Sequence, residues 1–121
     1  MKKILIVDDD EDLVDVAKYI LAAKGFDVHT QCTGSDVPGL VRRYNPDMIL
    51  LDIRLYGESG TEICKVLKRR YNIPIVLFSA DTKAGEAFAD CDADGFLAKP
   101  FSLTDLVNTV TLHLKSSNAV A

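Results

Sequence analysis

Residues 48–52 read Met-Ile-Leu-Leu-Asp, four consecutive apolar side chains closed by an acid and followed at 57–60 by Gly-Glu-Ser-Gly. A run so uniformly apolar shows no period-two alternation, which predicts a strand covered on both faces. Just beyond it, Ile63, Val66 and Leu67 fall on one helical face and Lys65, Lys68 and Arg69 on the other, the pattern of an amphipathic helix at the surface. Strand, glycine-containing loop and helix make one βα unit. The same unit recurs in both directions along the chain.

Upstream, residues 3–7 (KILIV) make a first short apolar run, and Leu13, Val14, Ala17, Ile20 and Leu21 repeat at three and four in a helix ending near Lys24-Gly25. Residues 26–31 (FDVHTQ) alternate like a less buried strand, and Val37, Leu40, Val41 and Tyr44 mark a short helix stopped by Asn45-Pro46. Pro38 is acceptable in that helix's first turn. Downstream, residues 73–78 (IPIVLF) predict a fourth strand and residues 95–98 (GFLA) a fifth, followed by a helix with Leu103, Leu106, Val107, Val110 and Leu114 inward. Residues 81–90 form a short fourth helical region containing Gly85, a residue that costs about 1 kcal/mol relative to Ala in a helix interior. Five βα units require a parallel sheet with right-handed crossovers, covered by helices on both faces. The fold class is therefore α/β, a doubly wound three-layer α/β/α sandwich.

The totals agree with one such domain over residues 1–121, with its core at about 2–115 and residues 116–121 as a tail or the start of a linker. A composition 48% hydrophobic and 26% charged excludes disordered and fibrous classes. A formal net charge of -4 argues against nucleic acid or an anionic membrane as the main partner, since both need a basic footprint. The apolar run after Lys2-Lys3 is too short for a signal peptide or a membrane span, so a cytoplasmic location is expected. Cys32, Cys64 and Cys91 are odd in number and widely spaced, without a Cys-x-x-Cys pair. They read as small buried residues in a reducing compartment.

Ligand chemistry in doubly wound folds collects beyond the carboxyl ends of the strands. Asp8 and Asp9 follow the first strand, Asp52 the third, Ser79 the fourth and Lys99 the fifth, whereas the second ends in Cys32-Thr33 and offers nothing comparable. Asp10, Glu11 and Asp12 are explained as a helix cap and first turn. Asp8, Asp9 and Asp52 are not, because clustered carboxylates repel unless a cation or a shifted pKa intervenes. An oxygen-only donor set without His or Cys suits Mg²⁺, or Mn²⁺, better than zinc.

These residues also carry a resemblance. VDD at 7–9, LLDIRLYGESG at 50–60, FSA at 78–80 and GFLAKPF at 95–101 resemble the receiver domain of bacterial two-component response regulators, in order and over residues 2 to 115. The resemblance implies a flavodoxin-like (βα)5 fold with strand order 2-1-3-4-5. It also implies that Asp52 accepts a phosphoryl group from a sensor histidine kinase or a histidine phosphotransfer protein. Asp8, Asp9, Asp52 and the carbonyl of Arg54 would hold the metal, and Asp52, Lys99 and Ser79 would carry the catalytic roles. Ser79 and Phe96 would be the switch pair, although Phe96 also reads as simple core packing, and the Lys99-Pro100 peptide would be cis. The domain would catalyse its own phosphorylation and dephosphorylation, with Arg54 and Asp81 flanking the attacking water and tuning phosphate lifetime. It would control a downstream effector or output domain through the face of the fourth helix, fifth strand and fifth helix, with a phosphorylation-dependent homodimer through that face.

Tyr56 departs from the pattern, standing where the family commonly has Pro. Other readings stay open: a metal-dependent phosphatase with an aspartyl-phosphate intermediate, or a pseudo-receiver that only docks. The phosphatase would want a second acid two residues after Asp52, where this chain has Arg54. A nucleotide-binding module fits less well, because the first strand runs into acids instead of a glycine-rich phosphate loop.

Overall fold

The apolar runs become five parallel strands: β1 (Lys3–Val7), β2 (Asp27–Gln31), β3 (Met48–Asp52), β4 (Ile75–Ser79) and β5 (Gly95–Ala98). The computed structural model describes residues 1–55, 57–80 and 90–118, without the side chains of 115–118. Expectations for Tyr56, Asp81 and the helical region with Gly85 fall outside the described residues. The strands pair in the order β2-β1-β3-β4-β5, the flavodoxin-like order, in registers that set Val7 beside Leu51, Asp52 beside Phe78 and Ser79 beside Ala98. Asp52 and Ser79 therefore end neighbouring strands at one rim.

Alternation sends successive strand residues to opposite layers, and both layers are covered. On one face Ile4, Ile6, Met48, Leu50 and Phe78 pack under Val14, Ala17 and Leu21 of α1 (Glu11–Ala23) and Leu106 and Val110 of the C-terminal helix (Leu103–Asn118). On the other, Leu5, Val7, Ile49, Leu51 and Leu77 pack under Val37, Leu40 and Val41 of α2 (Val37–Tyr44) and Cys64 and Leu67 of α3 (Gly60–Arg70). All residues of β3 and β4 are buried, which is why their sequence shows no alternation. Local chemistry sets the helix ends. Asp10 caps α1, its carboxylate accepting from Leu13 N at 3.2 Å, a contact worth about 1 kcal/mol.

Several boundaries differ from expectation for identifiable reasons. β4 begins at Ile75, not Ile73: Pro74 has no N–H to give the ladder, although its carbonyl accepts from Ile49 N at 3.0 Å. The strand then runs on to include Ser79. β2 begins at Asp27, because Phe26 N is still tied to Leu21 O at 3.2 Å in the turn that ends α1. Leu103, expected inward, opens the C-terminal helix 60% exposed; that helix continues to Asn118, past the last apolar repeat at Leu114. Phe96 is 37% exposed and lies outside the core, so plain core packing does not describe it.

The stretch after Asp52 is more ordered than a glycine-rich loop. Arg54 pairs with Ser59 and Leu55 with Glu58 in a two-rung antiparallel ladder, and Gly60 N donates to Ile53 O at 2.8 Å. The first turn of α3 is thereby pressed against the end of β3. A Cβ at Gly60 would collide with the Asp52 carbonyl oxygen, backbone that cannot move without displacing the acid. Gly60→Ala should cost about 1–3 kcal/mol by overpacking, read as a lower urea midpoint with an unchanged m-value.

Candidate functional site

The rim gathers the strand-end residues from four strands. Asp8, just past β1, is fully buried; Asp52, at the end of β3, is 7% exposed and Ser79, at the end of β4, is 4% exposed. Asp9 beside them is exposed, so the cluster opens to solvent on that side. One carboxylate oxygen from each of Asp8, Asp9 and Asp52 lies within 4.8 Å of the others. Lys99, just past β5, reaches back across the rim, its Nζ 2.8 Å from Asp8 Oδ2 and 3.2 Å from Asp52 Oδ2. Its backbone N donates to Ser79 O at 2.8 Å, and the Lys99–Pro100 peptide that follows is cis.

Backbone donors hold the acids in place. Asp10 N donates to Asp8 Oδ1 at 3.0 Å and Arg54 N to Asp52 Oδ1 at 3.2 Å, so each buried carboxylate is fixed by the residue two positions on. Asp8 Oδ2 receives no hydrogen bond of good geometry; the Lys99 ammonium is its compensation among the described residues. One ammonium between two buried carboxylates leaves the site short of positive charge. Burial, and then the Asp8 charge, push the Asp52 carboxyl above its ordinary value, against the Arg54 N–H and Lys99, which pull it down. Burial pulls the Lys99 ammonium down, but the Asp8 and Asp52 carboxylates outweigh it and hold it above its ordinary range.

A hard divalent cation fits this cradle. All three side-chain donors are carboxylate oxygens, one of them an under-satisfied buried atom, and neither His nor Cys is among them. Lys99 bridges the two buried acids, and its shorter contact is to Asp8. Of the other expected residues, Arg54 reaches this knot through its backbone N–H. Arg54 is exposed at the foot of the two-rung ladder, and Phe96 lies on β5, opposite Leu77 in register.

The family model for the response regulator receiver domain matches residues 4–111, a span that takes in the sheet from Ile4 to Ala98 and its acidic rim. The chain belongs to that family. Solved structures of similar fold include a CheY-like response regulator receiver domain protein from Methanospirillum hungatei, 26% identical with TM-score 0.91, covering 100% of this chain and 99% of that one. The BeF3-activated N-terminal receiver domain of RstA from Klebsiella pneumoniae is 28% identical with TM-score 0.86, over 93% of this chain and 98% of that one. NtrX from Brucella abortus, solved in complex with ATP, is 25% identical with TM-score 0.86 over 97% of this chain but only 28% of its own. This receiver domain is thus of the two-component response regulator kind, whose acidic pocket generally takes Mg²⁺. Among its described residues no helix is long and apolar enough to cross a membrane.

The raised Asp52 value has a thermodynamic consequence. The folded receiver binds that proton more tightly than the unfolded chain does, so ionised Asp52 works against the fold; the penalty grows as pH rises from the ordinary value of 3.8 through the raised one and is complete above it. Asp52→Asn should therefore raise the urea midpoint of the metal-free protein at pH 7. That advantage should disappear near pH 3, where the wild-type carboxyl is protonated in both states.

Proposed function

We propose that Asp52 is the phosphoacceptor of this receiver, taking a phosphoryl group from a phosphohistidine of a sensor kinase or a phosphotransfer protein. The observation that supports this most directly is a single carboxylate, nearly buried, held between two further carboxylates and a lysine at an open rim. An Asp52 oxygen attacks phosphorus in line while the P–N bond breaks and the histidine leaves with the electron pair. The barrier is mainly charge, because an anion attacks an anion, so positioning and neutralisation dominate.

In this reading Arg54 N fixes one Asp52 oxygen by its hydrogen bond, leaving Oδ2 to attack once Lys99 turns from it to a phosphoryl oxygen. The Ser79 hydroxyl donates to another phosphoryl oxygen, with small Ala80 beside it leaving room. Mg²⁺ would be held by Asp8, Asp9, Asp52 and the Arg54 carbonyl, and when bound it supplies charge neutralisation at the transferred group. The same residues serve dephosphorylation, in which water attacks phosphorus, the P–O bond to Asp52 breaks and inorganic phosphate departs, so the domain is also its own phosphatase.

Phosphorylation takes Ser79 and Lys99 to the phosphoryl oxygens and vacates space beside β4, which the half-exposed Phe96 fills by turning inward. This biases the face that includes β5 and the C-terminal helix, where an effector, an output domain or a second copy docks. The NtrX relative, whose chain extends far beyond its receiver, supports an output domain as one partner. A histidine kinase donor assigns the reaction to the cytoplasm. Against a dedicated phosphatase stands Arg54, a cation at the position where that chemistry wants an acid.

Incubation with Mg²⁺ and acetyl phosphate should add about 80 Da to the wild type and nothing to Asp52→Asn, read by intact mass. No gain in the wild type would establish a docking-only receiver. Arg54→Ala should change the decay rate of the acyl phosphate several-fold while leaving the phosphorylated mass attainable, followed by loss of the same mass increment with time.

A further inference from the structure

The cysteines take no part in phosphoryl transfer, yet the fold brings two of them together. Cys64 in the middle of α3 and Cys91 ahead of β5 are 0% and 1% exposed. The Cys64 thiol donates to the Cys91 carbonyl at 3.4 Å across 27 residues of chain, which makes the two cysteines neighbours in the core. Burial alone asks only for small apolar side chains at these positions; two cysteines on neighbouring, hydrogen-bonded positions carry a chemistry that burial does not require. Cys91 further lines a pocket of ≈ 300 Å³ with Lys65, Lys68, Arg69, Asp90 and Asp92, so this member of the pair borders an opening to solvent.

We propose that Cys64 and Cys91 form a reversible dithiol/disulfide couple, oxidised by low-molecular-mass disulfides that enter through this pocket. The Cys91 sulfur, once deprotonated, attacks one sulfur of the external disulfide; that S–S bond breaks, and one small thiol leaves with the proton Cys91 lost. The Cys64 sulfur then attacks the Cys91 sulfur, forming the protein S–S bond as the mixed disulfide breaks, and the second small thiol leaves with the Cys64 proton. Two electrons and two protons pass from the protein to the oxidant. The second step is intramolecular, between residues that the fold already holds as neighbours, so it outruns capture by another external molecule. Burial, and then the contact with Cys91, hold the Cys64 thiol well above its ordinary value, so exchange at neutral pH is slow, on a scale of minutes to hours. The product ties α3, whose first residue abuts the Asp52 carbonyl, to the chain that leads into the Phe96 strand.

The test uses the full chain with Cys32→Ser, which removes the third thiol, incubated with oxidised glutathione and then analysed without reductant. The expected result is a loss of about 2 Da, disappearance of both titratable thiols, and a melting temperature several degrees higher, all reversed by dithiothreitol. Two thiols surviving prolonged incubation, or a stable adduct of about 305 Da on either cysteine, would overturn the proposal. Peptide mapping of the oxidised wild type gives an independent reading: a Cys64–Cys91 link supports the couple, and links through Cys32 alone refute it.

Discussion

The Lys99 ammonium, 2.8 Å from one Asp8 oxygen and 3.2 Å from one Asp52 oxygen, is the contact around which the rest of the receiver is organised. Two carboxylates at 0% and 7% exposure have given up most of their water, a cost that a single cation offsets only in part. An apolar trio of the same volume would serve stability as well or better. The retained imbalance makes chemical sense as a site that is incomplete by itself, which is what the proposed phosphoacceptor role of Asp52 requires.

Such an arrangement needs a stiff support, and the sheet supplies it. The three strands that deliver Asp8, Asp52 and Ser79 are adjacent and central, and their interior residues are fully covered. Gly60 lets α3 abut the Asp52 carbonyl, and the ladder of residues 54–59 closes the loop between them. Phe96, by contrast, sits on the edge strand β5, half in solvent. Motion there disturbs few contacts, whereas motion at β3 would disturb both layers. Strand order alone thus places the acidic rim at the covered centre of the sheet and Phe96 at its edge.

The basic and thiol-bearing end of α3 belongs to a different region. Lys68 reaches Asp94 at 2.8 Å and the carbonyl of Ile73 at 3.4 Å, and Asp94 in turn accepts from Ile75 N at 2.9 Å. This network ties α3 to the starts of β4 and β5, close to the Cys64–Cys91 contact. The two ends of one helix thus address separate problems: its N-terminus buttresses the acid, and its middle and C-terminal turns bind the edge of the sheet.

Much of this was legible in the chain itself. Uniformly apolar runs such as 48–51 declare a doubly covered strand, three-and-four repeats declare α1 and α3, and acids after consecutive runs mark the rim, because burial periodicity is a local record of which faces are covered. The start of β4 at Ile75, the exposure of Leu103 and the ladder after Asp52 escaped that record. Each depends on a hydrogen-bond partner or a neighbouring layer distant in sequence. Periodicity could likewise announce Asp8, Asp52, Ser79 and Lys99 as strand-end residues, but not that Lys99 would lie nearer Asp8 than Asp52, nor that Cys64 would meet Cys91. The sequence by itself determined the elements, their faces and the identity of the rim residues, since these follow from propensity and local burial. Only the tertiary structure decided which charges share a cation and which cysteines become neighbours, because strand register and layer packing set those distances across tens of residues.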